Sequence, residues 1–337
     1  MSLDLTPLSK VSKLLFRIPL VPVQGSRFQP TGFPSLGAAT YQTREGVSLL
    51  VESPQSMANR LEAVCWDEAA RKPKAALDGI SFVRVNRHGS YLTSSITEAH
   101  RLNSPYLLEG SDKTFFNELK TALGGLADGP IDRKLFAQKL LHYDVGCLLH
   151  GVFLAKKELA GGRLRFSRAI SAFIEADGVR PAVSGGVKND YVNPSGDTKQ
   201  GFGNVPFARD EFTAESISLY VNLDLAQIRG YGLGPAVERL LVLLALWKLR
   251  SLLDGALRLR TACDLEPKDA AFVAIRPAGF ALPSSAALDA EVAAAIAACR
   301  SDMVETVVTF NDKYNKGKGE GKADTMKDDD SDDSEDA

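Results

Sequence analysis

The stretch LLFRIPLVPVQGSRFQPTGFPSLGAATYQTREGVSLLVESPQSMANRLEAVCW (residues 14–66) changes its local pattern three times, and that order sets the fold class. Residues 14–23 (LLFRIPLVPV) are branched and apolar, with prolines that suit an edge or early strand. Gly25 to Ala38 holds three glycines and two prolines and reads as a loop. Val47–Val51 reads as a second short strand. Ser53-Pro54 follows at once: the serine hydroxyl can accept an N–H of the first helical turn, and proline has the φ of a first helical position. The helix then runs to about Trp66, with Met57, Leu61 and Val64 on one face. Strand, loop, strand and capped helix follow one another.

Outward from there the pattern stays mixed. Ser111–Leu123 and Ile131–His142 have the spacing of two amphipathic helices, separated by Gly-Gly and Gly-Pro breakers. Val145–Ala155 is a continuous apolar run that suits a buried strand, and Lys156–Arg168 places five basic residues around a Gly-Gly turn. Residues 184–206 (SGGVKNDYVNPSGDTKQGFGNVP) have almost no periodicity and exceed an ordinary connection, so they read as a functional loop. Thr213–Ile228 favours strand, Pro235–Leu253 a core helix, Leu257–Leu265 a half-exposed strand and Ser285–Arg300 an Ala-rich helix. No internal repeat is visible. This irregular alternation with large polar insertions predicts an α+β fold.

The charge is uneven. Asn311 to Ala337 carries ten Asp/Glu against five Lys, a net of −5, which leaves positions 1–310 with 35 basic and 32 acidic residues. Cys65, Cys147, Cys263 and Cys299 are far apart with no CxxC pair, so they read as buried free thiols in a reducing cytoplasm and no metal site is expected. No basic start leads into an apolar signal segment, and the longest apolar run of the core helix, Leu240–Trp247, is too short to cross a bilayer. A soluble, cytoplasmic protein with no membrane partner is expected.

The chain also lacks the spacings of common chemistry. No GxSxG elbow and no GxxxxGK[ST] loop occur, and the Gly230–Gly234 run does not match a dinucleotide fingerprint, so no cofactor is expected. His142 and His150 flank an apolar stretch and read as packing or surface residues; His100 is either a binding contact or a helix-end residue. Polar loops instead concentrate Arg, Lys, Asn, Gln and aromatics: 25–33, 184–209, Gln227 to Tyr231, and Arg258 with Arg260. Such side chains neutralise phosphates, bond sugars and base edges, and stack on unpaired bases. The bland reading of each is solvated surface; four together point to RNA.

The strings GSRFQPTGFPSLGAA (25–39), LLVESPQSMANRLE (49–62), TEAHRLNSPY (97–106), SGGVKNDYVNPSG with GFGNVPFARDEFTA (184–214), LDLAQIRGYGLG (223–234) and LRLRTACDLE (257–266) carry a resemblance. The chain resembles the Cas-seven-type backbone subunit (RAMP superfamily) of type I-G, formerly I-U, CRISPR Cascade surveillance complexes. The resemblance implies a modified RRM-like (ferredoxin-like) palm sheet with helical finger insertions and a thumb loop. It implies one hand-like domain over 1–310, with fingers at roughly 67–145 and a thumb or web loop at roughly 184–209. It further implies a non-catalytic subunit that polymerises head-to-tail on the spacer of the crRNA and presents it to target DNA. Neighbouring copies, a large subunit and a guide-processing or capping subunit would be its other partners. Arg27, Phe28, Gln55, Asn59 and Arg60 are its first candidate guide contacts, then Lys188, Asn189, Arg229 and Arg258. Arg60 reads equally well as an intrahelical or cap partner, Arg258 and Arg260 as a solvated strand face, and Phe202 and Phe207 as a local cluster.

Residues 311–337 lie outside the resemblance and read as a disordered acidic tail that solubilises the chain or competes weakly for a basic groove. Two other readings stay open: a metal-independent endoribonuclease of the same superfamily using His100 or His142, and a protein-only scaffold.

Overall fold

The computed structural model describes residues 3–33, 37–127, 129–200, 202–255 and 257–312. Its principal strands are β1 (Lys13–Pro22), β2 (Thr40–Thr43), β3 (Gly46–Glu52), β4 (Phe82–Arg87), β5 (Ser90–Ser94), β6 (Ile170–Asp177), β7 (Ser184–Lys188), β8 (Val205–Arg209), β9 (Ser216–Asp224), β10 (Arg258–Arg260), β11 (Cys263–Pro267) and β12 (Glu305–Thr309). The helices are α1 (Pro54–Ala63), α2 (Thr114–Leu123), α3 (Arg133–Tyr143), α4 (Gly146–His150), α5 (Leu225–Gly230), α6 (Pro235–Leu253) and α7 (Ser285–Ala298).

An antiparallel sheet runs in the order β10-β11-β1-β9-β6-β3-β2. Within it β1 and β6 run the same way with β9 between them, while β9 and β11 run the same way with β1 between them. α1 lies on the path from β1 to β6, and α6 on the path from β9 to β11. One face is apolar because alternate residues are: Leu14, Phe16, Ile18 and Leu20 of β1 and Ile170, Ala172, Ile174 and Ala176 of β6 are buried. α1 packs across β6, and α6 packs against α1, α4, α5 and α7. Burial all around α6 explains why its sequence is apolar on every side, as expected of a core helix. No helix among the described residues is long and apolar enough to cross a membrane.

The sheet curls until its two ends meet the same loop. Gln29 N donates to Ala262 O (2.8 Å) at the turn between β10 and β11, and Thr31 N donates to Val51 O of β3 (2.8 Å). A second sheet, β12-β4-β5, stands apart, with β12 parallel to β4 and β5 antiparallel to it. β7 and β8 form a hairpin beyond the ends of β6 and β9, rooted where Ala182 N donates to Glu211 O (2.7 Å).

Several segments differ from the sequence reading. The run expected as a strand over Val145–Ala155 is α4 followed by a short strand, Val152–Leu154. Asp144 Oδ1 accepts from Gly146 N (2.8 Å) and starts the turn, and Gly151 (φ 77°) ends it. An unbroken apolar run looks alike in a buried strand and a buried helix. Strand over Thr213–Ile228 stops at Asp224, whose side chain caps α5 through Gln227 N (2.8 Å). Leu257–Leu265 is two strands folded back at Thr261-Ala262. The aperiodic 184–206 segment begins as β7, whose Gly185 and Gly186 leave no side chains to alternate. A Cβ on Gly185 would lie 2.8 Å from Phe207 O, so the close pairing with β8 needs glycine there.

Of the tail expected from residue 311, Asn311 Oδ1 accepts from His88 N (3.0 Å) and Asp312 Oδ2 from Ser111 N (2.6 Å), which ties both residues to the body. The rest of that tail lies outside the described residues. All four cysteines are free and buried, as expected.

Candidate nucleic-acid interface

α1 starts where β3 leaves the sheet. Ser53 Oγ accepts from Ser56 N (3.2 Å), the predicted cap, and Met57 and Leu61 anchor the inner face. Gln55 and Asn59 are thereby left on the exposed face. At the same helix end Arg168, from the turn before β6, donates through Nη2 to Gln55 Oε1 (3.2 Å). Among the described residues no carboxylate pairs with Arg168. Burial, and then the charge of nearby Arg101, hold its pKa below the usual arginine value. A cation without a counter-ion beside a helix N-terminus is a natural place for phosphate. The sequence reading had Arg168 only as the end of a basic run; its signal was its place directly before the apolar alternation of β6.

Arg60 is turned the other way. Its Nη1 and Nη2 donate to Arg258 O (3.1 Å) and Leu259 O (2.6 Å), and its Nε lies 3.6 Å from Glu52 Oε1. Arg260 reaches the same carboxylate through Nη2 and donates to Gln29 O (2.8 Å) through Nη1. Glu52 is only 1% exposed, so two guanidiniums compensate one buried charge and pin the curled sheet shut. Arg60 is therefore a structural cross-link, a correction to its place among the guide contacts. Arg258 sits at this junction too, but its side chain is exposed.

In the loop after β1, Arg27 is exposed, with Nη1 3.0 Å from Glu211 Oε2 but off the hydrogen-bond angle. Phe28 is a second correction. It is 1% exposed, and its N and O pair with the O and N of Phe212 at 2.9 Å each, so its ring belongs to the core and offers no stacking face. Arg229 donates to Val11 O (2.6 Å), tying α5 to the start of β1. Lys188 and Asn189 are exposed at the far end of β7, away from the α1 cluster. The structure thus gathers Gln55 and Asn59 on α1, adds Arg168, and places Arg258 across the Arg60 link.

The polar face of the sheet was also missed. Arg17, Tyr220 and Phe173 stand in register across β1, β9 and β6. The two rings stack at 5.1 Å with planes 18° apart, and Arg17 covers the other side of Tyr220 at 5.5 Å. These faces are spent on one another, so the row stiffens the sheet and exposes mainly Arg17. Period-two alternation in β1 marked Arg17 as outward.

Residues 14–181 match the family described as CRISPR-associated protein GSU0053. The matched segment contains β1, the loop after it, β3, α1, Arg168 and β6, and stops before the β7–β8 hairpin and Arg258. No curated protein matches the chain. Similar solved structures include a chain of a "CRISPR RNA-guided surveillance complex, pre-nicking" (14% identity, 76% of each chain covered, TM-score 0.37). Csc2 of Thermofilum pendens is another (10% identity, 85% of this chain and 72% of that one, TM-score 0.34). Scores this low do not establish a shared fold.

Proposed function

We propose that the chain is a non-catalytic, crRNA-binding backbone subunit of the Cas-seven type, in a CRISPR surveillance complex of subtype I-G. Three observations support the reading. The segment that matches a CRISPR-associated family contains the α1 cluster. The strand order β11-β1-β9-β6, with a helix on each crossover, is the order of an RRM-like palm, fourth-first-third-second. The observation that carries the reading is Arg168, a half-buried cation that no carboxylate among the described residues pairs with, hydrogen-bonded to Gln55 at the start of α1. A side chain poised there engages phosphate whatever the base, which suits a subunit that covers spacers of any sequence. In this reading residues 67–145 with β12 are fingers, the β7–β8 hairpin is the thumb, copies stack head-to-tail, and the assembly is cytoplasmic.

RNAs of unrelated sequence and increasing length, incubated with the purified protein at several salt concentrations, test it. Assembly should lengthen with the RNA, show little sequence preference and weaken with salt. Arg168→Ala should weaken all RNAs alike, by roughly ten- to a hundredfold for a charged hydrogen bond, and lower the salt slope by about one. Binding of a single copy to one short motif would overturn the reading. So would cleavage of repeat-containing RNA that is abolished by His100→Ala or His142→Ala.

A further inference from the structure

A second polar assembly lies in the interior, under the inner side of α1, and takes no part in the RNA-binding reading. Glu62 on α1 accepts from Arg101 Nε and Nη2 (2.6 and 2.5 Å), both residues being buried. Arg101 holds a left-handed backbone (φ 51°) to do so. Lys248 of α6, 3% exposed, lies 3.0 Å from His150 Nε2. Because an ammonium only donates, His150 is the neutral tautomer with its proton on Nδ1. Asp144 is 2% exposed; its Oδ1 takes the N–H of Gly146, the Ser95 hydroxyl stands beside the carboxyl, and its Oδ2 has no well-aligned hydrogen-bond partner.

Beside Glu62, Asp144 and Lys248 lies a cavity of about 10 Å³, lined by these three, Ser81 and otherwise mostly apolar side chains. That is roughly the volume one water needs, and cavities that stay dry are lined by apolar groups. A buried carboxylate oxygen left without a donor is costly, and none of the cavity's protein groups supplies one.

We propose that this cavity is a water site, in which one water donates to Asp144 Oδ2 and to the Glu62 carboxylate and accepts from Lys248 Nζ. Both water protons meet acceptors and its lone pair meets a donor, so Asp144 Oδ2 gains the donor it lacks. A metal cation is the wrong occupant, because Lys248 already supplies the positive charge. The water then joins α1, the turn before α4 and α6.

A crystal structure of the whole protein at high resolution, with water ¹⁷O relaxation for residence time, tests it. One ordered, long-lived water should lie within hydrogen-bond distance of Asp144 Oδ2 and Lys248 Nζ. Val145→Ile adds a methylene to the cavity wall; it should remove that water and lower the melting temperature by several degrees, because Asp144 is orphaned. A wild-type map without the water overturns the proposal, whether or not the variant folds. A variant that loses the water yet melts higher overturns it too, since filling a dry cavity stabilises.

Discussion

Arg60 on α1 and Arg168 beside its first turn end at opposite fates. Arg60 and Arg260 serve the fold while the half-buried Arg168 has no carboxylate partner among the described residues, so variants of the two kinds should separate cleanly. Arg260→Leu leaves Glu52 buried with one weak partner and should cost about 3–5 kcal/mol in denaturant unfolding, as a broken buried ion pair does. Arg168→Ala should leave that unfolding curve within about 0.5 kcal/mol while RNA binding falls. His150 gives a prediction in pH. Burial first, and then the charges of Lys248, Arg101 and Arg168, hold its imidazole well below the ordinary histidine value of about 6.5. Below that value the unfolded chain takes up a proton and the folded one does not, so stability falls on acidification by at most about 1.4 kcal/mol per pH unit. Asp144, whose carboxyl burial pushes up, works in the opposite sense, so the comparison must be between variants. His150→Gln keeps an acceptor for Lys248 and should flatten the fall between pH 6.5 and 5; an unchanged slope in thermal unfolding would count against it. At this scale the sequence was least legible. Chemistry marked Gln55 and Arg60 alike, but only packing decides that one points to solvent and the other to two backbone carbonyls.

Elements were easier to read, and for definite reasons. The Ser53-Pro54 cap, the core helix Pro235–Leu253 and β1 carry their own local signals and lie where expected. Segments whose character depends on distant partners were misread: α4 inside an apolar run, and the β10–β11 turn inside an alternating one. The strands of the β7–β8 hairpin contribute no buried residue to the core. Tyr191 and Val192 at its tip are 89% and 96% exposed, and Asp190 holds the tip by accepting from Val192 N, Asn193 N and Gly203 N. Replacing residues 184–209 by a short turn should therefore leave the melting temperature within a few degrees while abolishing ordered assembly on RNA. Electron micrographs of both proteins with a long RNA would decide. Equal filaments would remove the hairpin from the proposed thumb role.

For the molecule as a whole, charge is divided between body and tail. The seven acidic residues after Lys327, with no basic one among them, oppose a body that is mildly positive. Deleting residues 313–337 should leave unfolding unchanged and tighten RNA binding at low salt, with the difference shrinking as salt rises. Binding that weakens after the deletion would show that the tail assists. The second sheet carries a further consequence, for synthesis. β4 and β5 are translated early, yet the parallel partner of β4 is β12, made more than two hundred residues later. While the ribosome works through that interval, one edge of β4 stays open, and it exposes strand to any neighbour that can pair with it. Closure of this sheet thus waits for the end of the nascent chain, and a release from the ribosome before residue 309 should yield a protein that aggregates through the open edge of β4 rather than one that folds slowly.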